Sequence, residues 1–77
     1  MNPATKRKRQ FPYRKIEDLE AEIAQHEAAM KQLEATLADG ELYRDAERVK
    51  LTMRAFEDEK AQLARLYEHW VEADELN

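Results

Sequence analysis

Lys6-Arg7-Lys8-Arg9, followed by Arg14 and Lys15, is the group of side chains in this chain best equipped to act on a ligand. Clustered ammonium and guanidinium groups neutralise phosphates and release their counterions, which gives affinity without a choice of base sequence. Residues 1–15 hold these six bases and no acid, whereas residues 16–77 hold the other seven bases against all 17 acids. A net charge of −4 therefore conceals a basic arm on an acidic body, and a polyanion meets the arm first. A solvated linker accounts for the same residues without any ligand. A second basic group, Arg44, Arg48, Lys50 and Arg54, is interleaved with Glu41, Asp45 and Glu47, so intrahelical pairing explains it more simply than phosphate binding.

Other chemistry is poorly supplied. The chain has no serine and no cysteine, so the common activated nucleophiles and thiolate ligands are missing. Its single glycine rules out a glycine-rich phosphate loop. His26 and His69 lack convergent carboxylates and make no metal site, and no cofactor is expected in this segment. The reading is non-catalytic. Phe11, Tyr13, Tyr67 and Trp70 are read as a structural cluster at one end of the molecule, or as a base-stacking platform or docking patch.

These residues must be positioned by helices. One apolar stripe runs Ile16, Leu19, Ile23, His26, Met30, Leu33, Leu37 in steps of three and four. A second runs Val49, Met53, Phe56, Lys60, Leu63, Tyr67, Trp70, and it mirrors the first. Folding the chain back at Asp39-Gly40 sets Ile16 against Trp70, Leu19 against Tyr67 and Leu37 against Val49, with His26 facing Lys60 as a polar layer that fixes register. His69 falls off this seam, and Glu57-Asp58-Glu59 reads as a solvated face.

The fold class expected is all-α: an antiparallel two-helix coiled-coil hairpin with a basic N-terminal arm. Residues 1–11 form the arm or a linker remnant. Residues 12–77 form the hairpin, with a helix over about 12–38, a turn at 39–44 and a helix over about 45–75. Pro12 suits a first helical position, Gly40 the left-handed conformation past a helix end, and Asp45 an N-cap. Leu42 and Tyr43 should close the tip over Leu37 and Val49. No apolar run reaches the roughly 18 residues that cross a bilayer, so no membrane partner and a cytoplasmic location are expected.

The ordered features resemble a known family. Basic residues running into Phe11-Pro12-Tyr13-Arg14-Lys15, then Ile16-Glu17-Asp18-Leu19-Glu20-Ala21-Glu22-Ile23, the turn Leu37-Ala38-Asp39-Gly40-Glu41-Leu42-Tyr43, and Leu66-Tyr67-Glu68-His69-Trp70 before the ending Glu75-Leu76-Asn77 look like the C-terminal domain of ABC-F ATPases of the Uup type. The resemblance covers about residues 6–77. It implies a parent protein in which two ATP-binding cassettes precede a basic linker and a terminal hairpin, so that ATP hydrolysis belongs to the cassettes. In the Uup branch such hairpins are associated with DNA binding, and relatives act on ribosomes, where ribosomal RNA is the polyanion. Lys6, Arg7, Lys8, Arg9, Arg14 and Lys15 match the basic approach to the first helix and are carried over as nucleic-acid contacts. Gly40 stands where proline is common in the family's turn. The implied partners are nucleic acid and the parent's cassettes. The rival reading is an interaction module that packs on the cassettes, on the ribosome or on a second copy, to which Leu51 and Leu66 beside the seam lend substance.

Overall fold

The computed structural model describes residues 8–77, so Lys6 and Arg7 lie outside the described residues. Two α-helices, α1 (Ile16–Ala38) and α2 (Ala46–Leu76), flank a 3-10 turn (Gly40–Arg44), and there is no strand among the described residues. The helices lie side by side as a hairpin with principal extents of 61 × 19 × 15 Å. Ala, Glu and Leu dominate both helices, and these residues lose little on entering a helix. No helix among the described residues is long and apolar enough to cross a membrane.

The first helix begins at Ile16, later than the start at Pro12 suggested by proline's liking for a first turn. The reason lies in α2. Its side chains take up the backbone of the preceding residues: Glu72 accepts the N–H groups of Gln10 and Phe11, His69 bonds the carbonyl of Pro12, and Asn77 donates to the carbonyl of Arg14. Those groups are held by α2, and residues 8–15 run as a strap along its C-terminal end. Lys15 ends the strap in an extended conformation and caps α1 only through its carbonyl, which accepts from Asp18 and Leu19.

At the tip the chain turns without a left-handed residue. No described residue has a positive φ, Gly40 included, which corrects the expected glycine cap. Asp39 breaks α1 by adopting φ −82° and ψ 117°, then accepts the Glu41 N–H on its side chain to start the 3-10 turn. Asp45 caps α2 through the N–H groups of Glu47 and Arg48. Leu42 is buried in the tip, while Tyr43 is 58% exposed and donates its hydroxyl to the carbonyl of Leu37.

The core of the shaft joins Leu19 and Ile23 of α1 to Leu66 and Ala73 of α2, with Ile16, Leu63 and Trp70 packed against them. This is a different stripe of α2 from the mirrored one. Val49, Phe56, Leu63 and Trp70 face inward as expected, but Met53, Lys60 and Tyr67 are exposed, and Thr52, Glu59 and Leu66 take the places between. Steps of three and four fit both stripes, so periodicity alone does not separate them. Two contacts do. His26 donates from Nδ1 to Glu59 at 2.6 Å, a bond Lys60 could not accept, and Leu66 buries a wholly apolar side chain where Tyr67 would bury a hydroxyl. Glu59 therefore belongs to the polar layer and not to a solvated face. Leu66 is core and offers no surface for self-association.

Two expectations follow for stability. Glu59→Ala should cost about 1 kcal/mol in urea unfolding, whereas Lys60→Ala should stay within about 0.5 kcal/mol of the parent. A Cβ at Gly40 meets nothing within 4 Å, and the extended Asp39 before it suits a following proline. Gly40→Pro should therefore stabilise by roughly 0.4–1 kcal/mol through the unfolded chain, read as a rise of a few degrees in thermal midpoint.

Candidate nucleic-acid interface

The strap fixes the basic residues that the structure describes. Glu72 is 5% exposed, and its two carboxylate oxygens accept from Gln10 at 2.7 Å and Phe11 at 3.0 Å. A buried carboxylate is tolerated when its oxygens are hydrogen-bonded, and consecutive amides provide that here. His69 is 8% exposed. Its ring stacks on Phe11 with centroids 4.6 Å apart and planes 14° apart, and Nε2 lies 2.8 Å from the Pro12 carbonyl. A carbonyl oxygen only accepts, so Nε2 carries the proton. Far from lying idle off the seam, His69 is the residue on which the strap rests.

This grip falls on backbone and on Phe11, which leaves the cationic side chains outward. Lys8 and Lys15 are exposed. Arg9 donates to Asn77 at 2.9 Å and lies over the Tyr13 ring, 5.5 Å from its centroid. Arg14 bonds Glu22 at 3.1 Å with both side chains about a third exposed, a setting in which an ion pair is worth ~0–1 kcal/mol and yields readily to a stronger anion. Sequence reasoning passed over Arg65. Its guanidinium lies 5.4 Å from the Phe11 centroid, on the same hollow as Arg14, and adds a cation to this end. The signal was its place one helical turn before His69, which counts only once His69 is known to hold the strap.

The second basic group is remote. Arg44, Arg48, Lys50 and Arg54 sit at the tip and the first turns of α2, from about 42 Å (Arg44) to about 27 Å (Arg54) from Glu72 at 1.5 Å per residue. Arg44 pairs with Glu41 at 3.5 Å and Lys50 with Glu47 at 3.8 Å, while Arg48 and Arg54 are exposed. The two basic groups do not form one surface.

The four aromatic residues lie at the open end, where Phe11 and Tyr67 line one hollow and Tyr67 and Trp70 the next, and each has its own work. Phe11 is the strap's anchor, and Tyr13 is 63% exposed beneath Arg9. Trp70 packs on the core and donates Nε1–H to Glu20 at 3.2 Å. Tyr67, on the edge of α2, donates its hydroxyl to Glu27. That hydrogen bond, helped by desolvation and by the carboxylate's charge, raises the phenol above its ordinary pKa of 10.0. The folded chain then holds the proton more tightly than the unfolded one. Its contribution is complete below about pH 10 and is lost as pH rises past that value. In an absorbance titration of the three tyrosines, Glu27→Gln should bring the latest-ionising phenol back toward its usual range.

With this geometry in place, comparison with known proteins gives one family. No curated protein and no solved structure matches the chain. The model of the ABC transporter C-terminal domain matches residues 7–75, from the basic strap to the last turn of α2, and the chain belongs to that family.

Proposed function

We propose that this hairpin is a non-catalytic, nucleic-acid-binding C-terminal module of an ABC-F protein of the Uup type, with duplex DNA as its ligand. ATP binding and hydrolysis belong to the cassettes of a cytoplasmic parent protein. The family supports the C-terminal position, and the resemblance of the strap and turn residues supports the branch. One observation carries the nucleic-acid reading: the strap is gripped through its backbone and Phe11, so that Lys8 and Lys15 project from a fixed path with Arg9 and Arg14 between them. Ordering such an array before the ligand arrives reduces what binding must immobilise. The contacts are to phosphates, so the module discriminates little between sequences.

The acidic shaft confines the polyanion to this end. Glu34, Glu57 and Asp58 are exposed along it and repel phosphate. Replacing Lys6, Arg7, Lys8 and Arg9 together by Gln removes four of the six carried-over cations. The expected result is weaker binding to duplex DNA and a log–log salt slope flatter by up to about 3–4. An unchanged affinity and slope would remove the strap from the interface.

A further inference from the structure

Along the edge of the strap and on to α1, α2 carries a surface that phosphate binding does not use. Tyr67, Trp70 and Val71 line a hollow of about 380 Å³ with Ile23 and Glu20 of α1. Tyr67 and Val71 also line an adjoining hollow of about 360 Å³ that reaches Glu68 and the edge of the strap. Tyr67 is 44% and Val71 46% exposed, and the two stand one helical turn apart, so their apolar surface is contiguous. Both aromatic rings are pinned, Tyr67 by its bond to Glu27 and Trp70 by its bond to Glu20. Rings held in place offer contact area at little entropic cost, as binding surfaces built on Tyr and Trp do.

Charge says what fits there. Among the described residues, the lining of both hollows contains Glu20, Glu68 and Glu72 and no lysine or arginine. Glu72 already serves the strap, whereas Glu20 and Glu68 are exposed at the rim. Arg65 and Tyr67 lie two residues apart on α2, which puts them about 160° apart around the helix axis. Arg65 and the apolar pair Tyr67 and Val71 therefore lie on different sides of α2, with Glu68 between them. Nucleic acid is repelled from the carboxylates of the rim. A second copy docked symmetrically would set Glu20 and Glu68 against the same carboxylates, which disfavours it.

We propose that this face docks a basic peptide segment of a protein partner. One apolar side chain of that segment seats against Tyr67, Trp70 and Val71, and its flanking Lys or Arg side chains reach Glu20 and Glu68. The proposal goes beyond nucleic-acid binding and does not depend on it.

Trp70 is the sole tryptophan and serves as the reporter. A short peptide alternating lysine and leucine, added to the 77-residue chain, should shift Trp70 emission saturably, and a glutamate–leucine peptide of equal length should not. Val71→Ser, which leaves charge and the buried core alone, should weaken the lysine peptide about tenfold, with helicity and duplex DNA affinity unchanged. Glu20→Gln combined with Glu68→Gln should weaken it similarly and steepen nothing in the DNA salt slope. Equal binding of the two peptides, or a Val71→Ser chain that binds as the parent does, would overturn the proposal. So would sedimentation showing a dimer that Val71→Ser dissociates, since the occupant would then be a second copy. Loss of DNA binding alone would sink the strap reading and leave this one standing.

Discussion

The buried carboxylate of Glu72 is the constraint on which the open end depends. It reads two consecutive amides, of Gln10 and Phe11, and therefore fixes a path of chain and not a side chain. His69 completes the grip by stacking on Phe11 and holding the Pro12 carbonyl. A segment that would otherwise join α1 is drawn across α2 instead, and the helix starts only where these contacts end. Removing the carboxylate would strand two amides and release the ring above them, so the strap behaves as one unit. The described bonds of Glu72 and His69 fall on backbone and on Phe11, and Lys8 and Lys15 stay exposed.

A second constraint sets how the helices meet. Two smooth apolar stripes can slide past each other by a turn, and the half-buried His26–Glu59 bond resists this, because a slipped pair leaves both groups without partners. Few side chains are wholly enclosed in so thin a shaft; Leu19 and Ala73 are, and Leu42 nearly so. Polar contacts at defined positions then decide register to an extent they would not in a thick core.

The hairpin itself was legible in the sequence, because reversed stripes around Asp39-Gly40 admit few other arrangements. The α2 cap at Asp45 was legible for the same local reason: its carboxylate needs only the amides two and three residues on. The choice between adjacent stripes of α2 was not. Tyr67 and Lys60 fit a three-four pattern as well as Leu66 and Glu59 do, and only the partner across the interface, His26, separates them. The strap was illegible for a related reason. Phe11-Pro12 carries a strong local signal for a helix start, and the residues that override it lie some 60 positions later. Local propensity is readable from neighbours, whereas contacts distant in sequence are not. Gly40 shows the reverse error: its type invites a left-handed turn that the tip, stopped by Asp39, never requires.

Electrostatics along the molecule must likewise be taken locally. Charges separated by more than about 8–10 Å are largely screened at physiological salt, and the long axis measures 61 Å. The acids and bases of the tip therefore have almost no influence at the strap, and the net charge of −4 describes no place on the surface. What a ligand meets at the open end is set by the strap, by Arg65, and by the carboxylates within a few ångströms of them. There Phe11 and α2 separate two hollows: Arg14, Arg65 and His69 line one, while Tyr67, Glu68 and Val71 line the other with Gln10. Within two turns of one helix, a cationic hollow and an apolar one are thus set on either side of Phe11, and a two-helix protein presents two chemically distinct surfaces at one end.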